Sequence, residues 1–177
     1  MYSETPYLIH KFLEWAYEQR KLHLPNARKL SDGEKLRLAG YFDKRILDLT
    51  RVVSVAHISN PKFYNELIKS GISIPLDFTQ AVGLTLIDCV LIRKELCSNP
   101  PSWINTLFHE MVHVVQFDIL GPARLVSLYA DCLLQNKYQY HSVPFERQAY
   151  TLTDKFVGGE PPFSVREVIK QELSQIG

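Results

Sequence analysis

The sequence predicts an α+β fold, with a small mixed sheet in the N-terminal half packed on a predominantly helical C-terminal half. Three observations predict it. Residues 49–58, LTRVVSVAHI, are β-branched and roughly alternating, which marks a strand. Residues 84–92 place Leu84, Leu86, Asp88, Val90 and Ile92 on one side and Thr85, Ile87, Cys89 and Leu91 on the other, so they read as one strand covered on both faces. After Pro101, apolar residues recur at helical spacing in successive segments. A chain of 177 residues, 46% hydrophobic, suits one domain over 1–177 with a sizeable core.

The elements follow in order. Leu8, Phe12, Trp15 and Ala16 give a first amphipathic helix over 7–21, and Pro25 ends that region. Ser31 with Glu34 makes a capping box for a second helix over 32–42. The strand at 49–58 stops at Asn60-Pro61, and a short helix through Phe63, Tyr64, Leu67 and Ile68 follows. Residues 72–80 are extended, but Pro75 suits an edge or an irregular connection. The strand 84–92 completes the sheet. Ser102 caps a long helix over 103–119, stopped by Gly121-Pro122. Helices over 123–136 and from Glu146 to 157 come next, separated by the polar, Tyr-rich NKYQYHSVP. Ser164 and Glu167 cap a terminal helix. The divisions are a helical segment over 1–45, a sheet region over 46–96, a helical region over 101–157 and a C-terminal helix over 164–176.

Charge narrows the function classes. Twenty Lys and Arg stand against 19 Asp and Glu, so bulk electrostatics give no reason to expect a nucleic-acid partner. No segment reaches 18 apolar residues, so none reads as membrane-spanning. The start lacks a basic region followed by an apolar stretch, and a cytoplasmic protein is expected. Cys89, Cys97 and Cys132 are odd in number with no CxxC pair, against both a disulfide framework and a cysteine zinc site.

The chemistry lies in His109-Glu110-Met111-Val112-His113, an H-E-x-x-H pattern. Residues four apart share a helix face, so two imidazoles can meet one ion. Glu110, about 100° around the helix, can reach water held by that ion and take its proton. The flanks are apolar, and an unpaired His-Glu-His cluster would be costly to bury there. One zinc ion per chain is the expected cofactor, since two imidazoles and a carboxylate suit its tetrahedral site. Gln116 and Ile119 stand where a metzincin needs Gly and His, which excludes that class. Four candidates remain for the third ligand: Asp118, Asp131, His141 and Glu146. Asp118 is swung off the metal face. Glu146 stands at a helix start, where helix packing would complete a His-His-Glu site.

Other residues have weaker claims. Gln116 shares the histidines' face and can line the cleft or support a ligand. Tyr150 shares the face of Glu146. Tyr138, Tyr140 and His141 can donate to a developing oxyanion. Asp88 can support the motif helix or face solvent. Arg147 points off the Glu146 face. His10, His23 and His57 lack metal-ligand spacing. The edge of strand 84–92 can pair with an extended peptide beside the metal.

GLTLIDCVLIRKE, WINTLFHEMVHVVQF and PFERQAY together resemble small zinc peptidase-like domains of the gluzincin type, with an HExxHxxQ helix. The resemblance covers residues 72–157 and implies a zincin-like fold. It implies His109 and His113 as histidine ligands, Glu110 as general base and Glu146 as third ligand. Gluzincins carry an acidic residue four past that ligand, where this chain has Tyr150. The implied function is a zinc-dependent hydrolase, most simply a peptidase acting on a peptide or protein. The alternative is a non-catalytic interaction domain stabilised by zinc.

Overall fold

The computed structural model describes residues 4–69, 71, 76–135 and 143–174. Helix α1 (Glu4–His23) carries Arg20 and Lys21 in its last turn, whose charges suit the negative end of a helix. Strand β1 (Arg28–Lys29) follows, a short edge strand inside the segment expected to be helical. Helix α2 (Asp32–Leu38) opens with the expected capping box: Ser31 Oγ accepts from the Glu34 amide, and Glu34 accepts from the Ser31 amide at 2.7 Å. It stops short of residue 42. Asp43 instead caps a separate helix α3 (Lys44–Leu49), its carboxylate accepting from the Ile46 amide at 2.9 Å. Strand β2 (Arg51–Val55) and helix α4 (Tyr64–Lys69) fall where the β-branched and apolar runs place them.

Residues 84–92 are a hairpin and not one strand. β3 (Gly83–Leu86) and β4 (Cys89–Arg93) pair antiparallel, Leu86 opposite Cys89, with only Ile87 and Asp88 between. Ile87 has φ 66°, a conformation β-branched residues rarely adopt and two-residue turns usually give to glycine. Arg20 of α1 holds the tip, its Nε 2.5 Å and Nη2 2.9 Å from the two Asp88 carboxylate oxygens. Asp88 is therefore committed to Arg20 at the hairpin tip.

The sheet order is β1-β2-β4-β3, mixed because β2 and β4 run parallel while the outer pairs are antiparallel. β3 is thus an edge strand. Val52, Val90 and Ile92 point into the main core with Leu107, Phe108, Met111 and Val112 of helix α5 (Pro100–Leu120). Their alternates Val53, Val55, Cys89 and Leu91 pack on the other face with Ala16 and Trp15 of α1. Helices α6 (Pro122–Gln135), α7 (Pro144–Val157) and α8 (Val165–Ser174) complete the helical half. The result is an α+β fold with a mixed N-terminal sheet against a C-terminal helical region.

Glu34 locks the start of α5 to the N-terminal half. It accepts from both terminal nitrogens of Arg28 at 2.7 and 2.8 Å and from the Trp103 indole at 2.8 Å. Burial alone would raise its carboxyl, but Arg28, the Ser31 amide and Trp103 outweigh that and hold it at about 2. No single helix among the described residues is long and apolar enough to cross a membrane. The apolar pair α5 and α6 is bent by 113°, and much of α5 is buried in the core.

Candidate metal centre

The helix that carries the motif begins earlier than its serine suggests. Asn99 is the cap, accepting from the Ser102 amide at 3.2 Å, and Pro100 and Pro101 fill the first turn. Proline is at home there, because those amides have no intrahelical partner to lose. From this start α5 passes beneath the sheet. Gly121, at φ 76°, then turns the chain into α6.

Helix α7 packs along α5 and brings Glu146, in its own first turn, to the motif. The Glu146 Oε2 atom lies 3.6 Å from His109 Nε2, and its Oε1 lies 3.4 Å from His113 Nε2. The two imidazoles stand 5.1 Å apart between ring centres, at 76° to one another. One donor atom from each of the three residues falls within 4.8 Å of the others. Zinc bonds of about 2.0–2.2 Å at tetrahedral angles set neighbouring donors about 3.4 Å apart, so the observed separations fit an ion better than direct hydrogen bonds. Charge fits as well: a divalent cation would balance the buried carboxylates of Glu110 and Glu146. The three side chains form a triad able to hold a metal ion, set in a helical region consistent with a zincin-like active site.

Gln116 fixes the tautomer of His113. Its Nε2 donates to the Phe145 carbonyl at 3.1 Å and to Gln148 Oε1 at 2.9 Å. A backbone carbonyl only accepts, so the amide cannot be flipped, and Gln116 Oε1 must face His113 Nδ1, 2.8 Å away. In the neutral imidazole Nδ1 then carries the hydrogen and Nε2 the lone pair, directed toward the triad. Gln116 is fully buried, so the amide has no water to compete for these bonds. Sequence spacing placed Gln116 on this face but not these partners.

Glu110 is buried beside the triad and held from the sheet. Thr85 Oγ1 lies 2.7 Å from Glu110 Oε2 and 2.8 Å from the Glu110 carbonyl. One hydroxyl hydrogen serves one acceptor at a time. With Glu110 ionised it goes to the carboxylate. With Glu110 protonated, the carboxyl donates to Oγ1 and the hydroxyl turns to the carbonyl. Thr85 therefore satisfies both protonation states. Gly83 closes the other side, since a Cβ there would lie 2.5 Å from Glu110 Oε1. Neither Thr85 nor Gly83 stands out in the sequence, because their roles depend on how β3 lies across α5.

Burial raises the Glu110 carboxyl, and the nearby imidazoles only partly oppose it. Burial disfavours charge on His113, but Glu146 outweighs it and raises the imidazole to about 9. A metal ion must displace that proton.

Among the described residues, neither Asp118 nor Asp131 joins the triad. Asp118 is engaged by Arg45 and by Arg166, the latter at 2.7 Å. Asp131 sits on α6, where Tyr129 is the residue that reaches Glu146, its hydroxyl donating to Oε1 at 2.9 Å. The Tyr150 ring lies 4.6 Å from that of His109. Arg147 is exposed. Tyr138, Tyr140 and His141 lie outside the described residues. Two hollows meet at the site. One, of about 480 Å³, runs past His109, Glu110, Tyr150 and the β3 approach. The other, of about 150 Å³, is mainly apolar and lies between α1, β3 and α6, with His113, Tyr129 and Glu146 in its wall. No family model, no curated protein and no solved structure matches the chain.

Proposed function

We propose that the chain is a zinc-dependent hydrolase of peptide bonds, organised as one zincin-like domain over 1–177. The observation that carries this is the buried Glu110 carboxylate, held by Thr85 beside the triad and open to the larger hollow. A site serving only to tie α5 to α7 has no use for a second buried carboxylate, whose desolvation is costly. That favours the hydrolase over a zinc-stabilised interaction domain.

His109, His113 and Glu146 would hold the ion. When bound, zinc supplies Lewis acidity, polarising a carbonyl and making water a better nucleophile near neutral pH. Three protein donors leave a fourth position for water or substrate. The chain's own groups do the rest. The edge of β3 can take an extended peptide as an added strand, aligning its carbonyl beside the histidines. Glu110 accepts a proton at its carboxylate and returns it to the leaving nitrogen. Its raised affinity for protons suits both duties, and Thr85 follows each change with its hydroxyl.

Glu110→Gln tests this. The variant should keep the fold and one zinc per chain while hydrolysis of a casein or mixed-peptide substrate falls at least 100-fold, the scale of a lost general base. Equal hydrolysis by parent and variant would sink the proposal.

A further inference from the structure

Glu146 is almost wholly buried, and its carboxylate plane is turned so that Oε2 faces His109 Nε2 and Oε1 faces His113 Nε2. The last torsion of a glutamate is broad and does not set that plane by itself. The helix start that carries Glu146 places its backbone but leaves this rotation open. Tyr129 closes it. Its hydroxyl donates to Glu146 Oε1 at 2.9 Å from α6, a helix that supplies none of the triad. A carboxylate oxygen only accepts, so the phenol is the donor in this bond. Tyr129 also lines the apolar hollow, where little water is at hand to replace its hydrogen bond.

We propose that Tyr129 is a positioning residue for the metal centre: its hydroxyl fixes the rotation of the Glu146 carboxylate and so presents the third donor to both histidines before an ion arrives. This rests on the metal-binding part of the function proposed above. The hydrogen bond makes Glu146 a prepared ligand in the same way that Gln116 prepares His113. Sites of this kind lose about 10–100-fold in metal affinity when such a supporting partner is removed.

The test uses the full chain stripped of metal, as parent, Tyr129→Phe and Tyr129→Leu. Zinc affinity is measured by competition with a chromophoric chelator, and the absorption spectrum is recorded with cobalt(II) alone. Tyr129→Phe keeps the ring and removes the hydroxyl. It should bind zinc at least tenfold more weakly and shift the cobalt bands, while its metal-free form keeps the parent's circular dichroism spectrum and a cooperative melt. Tyr129→Leu should weaken binding at least as much. If Tyr129→Phe binds like the parent with an unchanged cobalt spectrum, and only Tyr129→Leu is impaired, the ring matters for packing and the proposal is overturned. If the parent itself takes up neither ion, the metal-binding premise fails, a result distinct from failure of the Tyr129 role alone.

Discussion

Gly83→Ala should disable Glu110 without touching the metal triad. Gly83 does not use a left-handed backbone, so alanine is allowed by its conformation, and the consequence is purely one of space. The added Cβ would meet Glu110 Oε1 at 2.5 Å, Cγ at 2.8 Å and Cδ at 2.9 Å. Comfortable contact begins near about 3.5 Å, so the side chain must retreat by about 1 Å. Glu110 is buried and bonded to Thr85, so it cannot retreat into solvent without breaking that bond. Overpacking costs about 1–3 kcal/mol, and losing a hydrogen bond to a charged group costs about 1.5–3 kcal/mol. With partial relaxation the net loss is about 2–4 kcal/mol. Each kcal/mol moves the melting temperature of a domain this size by about 2–4 °C, so a fall of roughly 5–15 °C is expected. A displacement of 1 Å at a catalytic group costs about 100-fold in rate. Zinc stoichiometry should stay at the parent's value, because no donor of the triad moves. Melting is read by circular dichroism, hydrolysis with a quenched fluorescent peptide mixture, and zinc by elemental mass spectrometry. Melting and hydrolysis equal to the parent's would refute the claim that Gly83 and Thr85 confine Glu110.

Gln116→Leu should lower zinc affinity by about 10–100-fold, read by chelator competition, because His113 Nδ1 loses the acceptor that fixes its tautomer. The same change strips buried polar partners on α7 and should cost about 2–4 kcal/mol in denaturant unfolding. Stability of the metal-free protein should fall as the pH rises. The folded His113 imidazole sits at about 9, above its ordinary value of about 6.5. Its contribution is therefore complete below about 6.5 and disappears as pH climbs through about 9. The raised Glu110 carboxyl acts in the same direction, from the ordinary glutamate range upward. Urea midpoints measured across this range should decline in the parent. They should decline less in Glu146→Gln, which removes the charge that raises His113.

How far the fold can be read from sequence depends on whether a feature is local. His109 and His113 share a face because four residues make one helical turn, and that is visible without a structure. The Ser31–Glu34 capping box and the β2 run are equally local, and α7 starts two residues before the expected Glu146. The hairpin is not. Its turn places isoleucine at positive φ, where glycine or asparagine would have announced it, and the Arg20–Asp88 pair that holds it joins residues 68 apart. Helix α3 escapes because Asp43 stops one apolar run and caps the next within a few residues.

The site divides in the same way. Glu146 is suggested by a carboxylate at a helix start, whereas its partner Tyr129 looks like any aromatic on the apolar side of an amphipathic helix. Only the bend at Gly121 aims it at Glu146. The i,i+3 spacing of His113 and Gln116 is legible, but the orientation of the amide depends on partners 29 and 32 residues away. Thr85 and Gly83 act through the register of β3 against α5, which no periodicity reports.

The most direct measurement is metal content by elemental mass spectrometry on tag-free full chain, with His109→Ala purified in parallel. About one zinc per chain in the parent, lost in the variant, is the expected result for a tetrahedral His-His-Glu site. Absence of any transition metal from both proteins, after zinc has been offered and the excess removed, would contradict it.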